Sequence, residues 1–406
     1  MKFTQLLYKQ HIGRAIRTIW QVQRHRPILD TSAEKILAPM GIVVKDALEV
    51  VTPKKEFFKF EFPSEDEINE IDSDRKEQDC LSYKQNNLLQ AGVSQACLLT
   101  KTVKIADELP KRIEDLIGDV PEHIDNLVQR IVSTSLMYDA EQVKLPKIKD
   151  PNRPAWVFPR MYGISIDRKV RNLFQKLLQL CESLSGSNTA QTRYVINNGI
   201  TSVCIEKEMD LLQFEAKSDL MVLSLTHLSP IANQDRSHEF NMPDLYPLHH
   251  TIGLTHTKIN KTEDVYPIDS VSPWVNVHTI FISNDPERVK SLTELPVTED
   301  QIYARSLMKQ FTTAAACARK KFGSDVKQLP EPVTVQCIQS NGQSFHFSVF
   351  QLNTLDINGT EGIKNFWWSM PSMSLYEKAQ YENGRPTLEG YNIEVFKKLF
   401  AFYKNR

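Results

Sequence analysis

The 406-residue sequence has no CxxC pair and no close-set cysteine framework: Cys80, Cys97, Cys181, Cys204, Cys317 and Cys337 are separated by at least sixteen residues. That spacing excludes a zinc ribbon and a disulfide-stapled secreted module, and it predicts free thiols in a reducing compartment. No apolar run approaches the roughly 18 residues that a spanning helix needs, because charges or prolines interrupt each one. The chain therefore does not read as an integral membrane protein. The catalytic signatures with a known mechanical basis, GxxxxGK[ST], GxGxxG, HExxH and GxSxG, are absent, which weakens an enzyme reading without closing it. An excess of one charge is lacking too. Lys plus Arg number 49 against 50 Asp plus Glu, a formal net charge of −1, so the chain as a whole lacks the basic excess of a free-standing nucleic-acid binder.

What is present is 41% hydrophobic and 24% charged residues over a length that can bury a sizeable core, which excludes a disordered tail. At about 150 residues per domain the length suggests two to three domains, although one large α/β unit is also within range. Charge is spread unevenly. Residues 1–29 hold six bases (Lys2, Lys9, Arg14, Arg17, Arg24, Arg26) and no acid before Asp30, so the remainder carries 43 bases against 50 acids, or −7. In that leader Leu6, Leu7, Ile12, Ile16, Ile19 and Trp20 share one helical face with arginines on the others. A basic amphipathic helix of this kind reads as a mitochondrial transit peptide. A basic arm kept on the protein to bind a polyanion has similar composition, although the absence of Ser departs from usual transit peptides. Residues 54–79 then contain ten acids and five bases, a solvated acidic connector.

Periodicity predicts the rest. Ile124, Leu127, Val128, Ile131 and Val132 follow helical spacing over 119–136, with Asp119 and Glu122 resembling a capping box. The strongest stripe is Val170, Leu173, Phe174, Leu177, Leu178, Cys181 and Leu184, stopped at Gly186. Between 193 and 226 the period moves towards two, and Asn198-Gly199 reads as a hairpin turn followed by strands such as 219–225. A helix at about 300–322 aligns Tyr303, Leu307, Phe311, Ala315, Ala318 and Phe322. Val333, Val335 and Cys337 alternate before Asn341-Gly342, and Phe345, Phe347 and Val349 alternate after it, the clearest hairpin in the chain. A last helix at 392–403 buries Phe396, Leu399, Phe400 and Tyr403. The expected fold is mixed α/β (α+β), a largely antiparallel or mixed sheet with packed helices and an extended N-terminal arm. The expected organisation is a transit peptide at 1–29, an extended acidic connector at 30–80 and one large globular α/β domain at 81–406.

Candidate chemistry is sparse. Gly163-Ile164-Ser165-Ile166-Asp167 imitates a nucleophile elbow without its second Gly, so Ser165 or Asp167 reads as a helix cap. His227, His238, His249, His250, His256 and His278 are dispersed without metal-ligand pair spacing; surface or loop positions are expected, with no catalytic, cofactor or metal residues. His346 alternates away from Phe345 and Phe347 on a strand and reads as a hydrogen-bonded structural residue. The stretch 144–171 is the exception. Lys144, Lys147, Lys149, Arg153, Arg160, Arg168, Lys169 and Arg171 face only Asp150 and Asp167, a net of +6, with Trp156, Phe158 and Tyr162 interleaved among prolines. An extended segment of this kind can present cations and rings to phosphates and bases. The alternative is a proline-rich loop whose rings dock on the core while its charges face water.

The residues themselves go further. QCIQSNGQSFHFSVFQLNTLDINGTEGIKNFWW (336–368), preceded by KKFGSDVKQLPEPV (320–333), resembles the mitochondrial large-ribosomal-subunit protein thirty-seven family. QACLLTKTVKIADELPKRI (95–113) resembles the same family's Leu-Thr-Lys-Thr segment with its following Leu-Pro, and EVFKKLFAFY (394–403) also fits. The resemblance covers roughly 80–406, is patchy between about 140 and 300, and fades in the leader and acidic connector. It implies a structural component of the mitochondrial large ribosomal subunit, without catalysis or cofactor, in the matrix. It also implies rRNA and protein neighbours, including a related mitoribosomal protein as a hetero-pair partner. On that expectation Lys144, Lys147, Lys149, Arg153, Trp156, Arg160, Arg168, Lys169 and Arg171 become candidates for RNA or partner contact. Two other classes compete: a matrix enzyme with an unfamiliar pocket that includes His346 or Asp356, and a non-ribosomal adaptor that uses the acidic connector.

Overall fold

In the computed structural model the described residues are 13, 15–23, 33–43, 45, 77–84, 86–118, 120–121, 123–137, 141–145, 147, 152–153, 155–156, 159–259, 262, 264–286, 288–289, 295–383 and 385–406. The chain divides into two units, Met1–Asp72 and Ser73–Arg406. In the first, residues 15–23 are helical, and Ile16, Ile19 and Trp20 are exposed on that helix. The helix Ala33–Leu37 is followed by a 3-10 turn, Ala38–Met40, closed by left-handed Gly41. The acidic stretch 54–76 lies outside the described residues, as do Asp119 and Glu122 of the expected capping box.

The second unit is built on fourteen described strands: β1 Gln78–Tyr83, β2 Thr102–Ala106, β3 Val143–Lys144, β4 Tyr162–Gly163, β5 Arg193–Lys207, β6 Asp210–Ser224, β7 Thr255–Ile259, β8 Asn276–Ser283, β9 Gln328–Ser340, β10 Ser344–Thr354, β11 Asn365–Ser369, β12 Met373–Ser374, β13 Lys378–Glu382 and β14 Arg385–Glu389. Ten of these form one mixed sheet; β13–β14 and β3–β4 are separate antiparallel ribbons. The longer helices are α1 Gly92–Thr100, α2 His123–Met137, α3 Ile166–Ser185, α4 Glu299–Phe322 and α5 Ile393–Lys404. Side chains alternate across the sheet. Phe345, Phe347 and Val349 of β10 face the core shared with α2, α3 and α5, whereas Phe350 and Leu352 face the core shared with α1 and α4. The sheet is thus covered by helices on both faces, as a mixed sheet with strands apolar on both sides requires.

The sheet's pairing brings distant segments together. In β2 and β11, which pair in parallel, Asn365 lies opposite Thr102 and Phe366 opposite Val103. Asn365 Nδ2 donates to Thr100 O at 2.9 Å and Lys101 Nζ to Asn358 O at 2.7 Å. Two of the segments that carry the family resemblance, 95–113 and 336–368, are therefore neighbours in the fold. The Asn341-Gly342 hairpin forms as expected, with Gly342 at φ 99 and Asn341 Oδ1 accepting from the Gln343 and Ser344 amides at 2.9 and 2.8 Å. The expected turn at Asn198-Gly199 does not form. Asn198 takes the left-handed φ of 55 that favours such turns, yet the β5–β6 ladder continues in register on both sides, with Asn197 opposite Leu220 and Gly199 opposite Ser218. Pairing along fifteen-residue strands outweighs the local turn preference, and Gly199 fits because a Cβ there would lie 3.0 Å from Met221 Cε and Ser218 Oγ. The true turn is Glu208–Met209, with Glu208 at φ 58.

The helices follow their stripes. In α3 Val170, Leu173, Phe174, Leu177, Leu178 and Cys181 are buried, and Gly186 ends the helix. Phe174 meets Phe281 edge-on at 5.2 Å and Phe345 at 6.1 Å, the favoured geometry for aromatic pairs. Ser165 occupies the N-cap position of α3 without a side-chain cap bond, and Asp167 pairs with Arg288. In α2 Ile124, Val128 and Val132 are buried but Leu127 is exposed. A Thr298/Gln301 capping box opens α4. Every residue of α4 from Ala304 to Ala318 is buried, more than the single predicted face, and both α1 and the sheet strands pack against it. Its buried polar groups are matched: Arg305 Nη1 donates to Ser283 O at 2.9 Å and Lys309 Nζ to Lys217 O at 2.7 Å. Gln310 Nε2 donates to Val335 O and Ser348 O, while its Oε1 accepts from Ser348 Oγ and Trp367 Nε1 at 2.9 and 3.0 Å. All six cysteines are buried and none is in a disulfide.

His278 departs from expectation. It lies in β8, fully buried, with Nε2 2.9 Å from Asn405 O and Nδ1 2.8 Å from Thr279 Oγ1. Burial holds its pKa down to about 3, assisted by the Arg193 charge, so the ring is neutral. With Arg193 Nη2 on the same Asn405 carbonyl at 2.7 Å and Asn405 Nδ2 on Gln336 Oε1 at 2.8 Å, the histidine fastens the chain end to the sheet.

Candidate nucleic-acid interface

The basic stretch folds as a ribbon leading into a helix. β3 and β4 pair through Val143 with Gly163 and Lys144 with Tyr162, and the Leu145 amide extends the ladder to Met161 O at 2.8 Å. Two ladder rungs hold little by themselves, so local contacts set the loop. Arg160 Nε donates to Leu145 O at 2.9 Å, the Trp156 amide to Arg153 O at 3.1 Å, and the Arg153 guanidinium lies 5.3 Å from the Trp156 ring centroid. Trp156 is 63% and Tyr162 68% exposed, so these rings do not dock on the core. Lys144, Lys147 and Arg160 are exposed as well. Lys149 and Phe158 lie outside the described residues.

The eight described candidates divide by their surroundings. Lys144, Lys147, Arg153, Trp156 and Arg160 belong to the ribbon and its loop. Arg168, Lys169 and Arg171 stand half-buried in the first turns of α3. Arg168 Nη1 is 2.5 Å from Glu141 Oε2, and Arg171 Nη2 is 3.1 Å from Asn198 Oδ1 and 3.8 Å from Asp219 Oδ1. Neighbouring acids thus offset Arg168 and Arg171, whereas Arg153 lies over the exposed Trp156 ring. Asp167, between the groups, has its carboxyl pKa raised by burial, against the opposing Arg288 charge. Met161, 57% exposed in the ribbon, adds apolar surface that charge counting does not register.

The residues nominated for an enzyme pocket do not converge. His346 is buried, with Nε2 2.9 Å from Ser369 Oγ and its ring stacked on Tyr303 at 4.3 Å; burial holds its pKa at about 3. Asp356 caps its own turn, its Oδ1 accepting from Asn358 Nδ2 at 3.0 Å. About ten residues of largely extended chain separate the two, roughly 30 Å at the strand rise. Asp356 instead borders a cavity of about 470 Å³ with Cys204, Glu206, Asp264, Arg319 and Lys327. There Arg319 Nη1 is spent on Cys204 O and Asp264 Oδ1, at 2.7 and 2.8 Å.

Comparison with known proteins follows this architecture. The large ribosomal subunit protein mL37 of Rattus norvegicus is 28% identical over 349 residues, covering 81% of this chain and 75% of its own. The chain is similar to mL37 over most of its length. The mL37 proteins of Gallus gallus and Bos taurus are each 27% identical over 346 residues, with the same shares covered. Residues 288–406 match the family model described as Mitochondrial 28S ribosomal protein S30 (PDCD9). That match takes in α4, β9 to β14 and α5, whereas the mL37 similarity extends over four-fifths of the chain. The resemblance read from the sequence therefore holds, and no helix among the described residues is long and apolar enough to cross a membrane.

Proposed function

We infer that this chain is a structural constituent of the mitochondrial large ribosomal subunit and supports translation in the matrix by binding neighbours without catalysing a reaction. The observation that carries this reading is the mL37 similarity over 81% of the chain. A peripheral place in the particle suits a body with 43 bases and 50 acids beyond residue 29, because each rRNA phosphate contact favours a local Lys or Arg. The stretch 144–160, with Lys144, Lys147, Lys149, Arg153, Trp156 and Arg160, is the rRNA-facing patch, with Arg168, Lys169 and Arg171 supporting it. Residues 1–29 act as the import signal, 30–80 as a connector and 81–406 as the globular domain. The partner is a related mitoribosomal protein. Supporting that pairing, the C-terminal part of this chain matches a family model described by the name of a different mitochondrial ribosomal protein. Depletion of the chain from mitochondria is expected to lower the amount of assembled large subunit and, with it, organellar protein synthesis. An undiminished large subunit after complete depletion contradicts the reading.

A further inference from the structure

We propose that Glu208, His249 and His250 form a binding site for one divalent transition-metal ion, with Zn²⁺ the fitting ion. One ligand atom from each residue lies within 4.8 Å of those of the other two. Two imidazole nitrogens and a carboxylate oxygen are a donor set suited to zinc, leaving a fourth position for water. Donors of a tetrahedral zinc site at 2.0–2.1 Å stand about 3.4 Å apart. Glu208 and His249 are exposed, so rotation of their side chains can close the remaining gap without moving the core.

Both sides of the site are anchored before any ion arrives. Glu208 occupies the β5–β6 turn, where its amide donates to Asn358 Oδ1 at 2.6 Å. The adjoining Lys207 directs its ammonium to Leu98 O and Ile357 O at 2.5 and 3.0 Å. On the other side buried Gln95 donates from Nε2 to His250 O and Ile252 O, each at 2.8 Å, and so ties the histidine loop to α1. The two imidazole centroids lie 4.2 Å apart with the rings tilted by 33°. His249 Nδ1 is 2.8 Å from Thr251 Oγ1. The Thr251 amide also donates to Nδ1, at 3.5 Å, so the loop holds this edge of the ring, and ligation through Nε2 requires the tautomer with the proton on Nδ1. Because Glu208 precedes His249 by forty-one residues, no motif marks the site; the hairpin turn and the loop bring its parts together. A bound ion would cross-link that turn to the loop.

The test uses the purified full-length chain, stripped with chelator and titrated with Zn²⁺ by calorimetry and with Co²⁺ by absorption spectroscopy. One equivalent of Zn²⁺ is expected to bind. His249→Ala and Glu208→Gln are each expected to weaken binding at least tenfold without changing the circular dichroism spectrum or the metal-free melting temperature. Cobalt is expected to give visible ligand-field bands without a thiolate charge-transfer band. Absence of saturable zinc binding overturns the proposal, as does undiminished affinity in a His249→Ala/His250→Ala double variant. A thiolate band overturns it too, because the ion would then sit on cysteine.

Discussion

Replacing Gln310 with leucine is expected to destabilise the folded body by about 3–5 kcal/mol, through buried hydrogen-bond partners that the substitution leaves unpaired. Gln310 joins α4 to three strands through four bonds: to Val335 O in β9, to Ser348 O and Oγ in β10, and to Trp367 Nε1 in β11. Leucine has similar bulk, so packing changes little. The Trp367 indole N–H and the Ser348 hydroxyl would instead be stranded in a dry interior, each costing about 1–3 kcal/mol. Urea unfolding followed by tryptophan fluorescence measures the difference. Met209→Ser, at the fully exposed β5–β6 turn, is the control and is expected to stay within about 0.5 kcal/mol. A Gln310→Leu destabilisation below about 1 kcal/mol would contradict the assignment of this side chain as a link between helix and sheet.

The second large effect concerns binding. Reversing Lys147, Lys149, Arg153 and Arg160 together to Glu is expected to lower affinity for large-subunit rRNA by about a hundredfold or more at physiological salt. It should also flatten the dependence of log K on log salt by up to about 0.9 for each phosphate no longer neutralised. Arg168→Glu with Arg171→Glu should do less to RNA binding, because Glu141 and Asp219 already offset those two charges. Filter binding across a salt series separates the sets. Equal effects from both would show that total charge matters and the ribbon does not, and unaltered binding by the fourfold variant would remove the ribbon from the interface.

Much of the body was legible because its signals are local. The α3 stripe, the Asn341-Gly342 hairpin and α5 depend on spacing within a few turns or strand residues, and the structure matches each. Long-range pairing decided what spacing could not. Asn198-Gly199 carries the local signature of a turn, but β6 supplies hydrogen-bond partners on both sides of it. His278 reads as one of several scattered histidines until β8 is placed beside the chain end at Asn405. The partition of the basic stretch was equally hidden, since the acids that offset Arg168 and Arg171 lie 27 and 48 residues away in sequence. Likewise, only the parallel pairing of β2 with β11 shows that the Leu-Thr-Lys-Thr segment adjoins Asn365-Phe366-Trp367-Trp368.

Sedimentation of a mitochondrial lysate through a sucrose gradient at moderate salt, with the chain followed by immunoblot, distinguishes a ribosomal component from a free protein. Comigration with large-subunit rRNA, abolished when that rRNA is digested, is the expected result. Recovery of the chain near the top of the gradient, apart from intact large subunits, would contradict it.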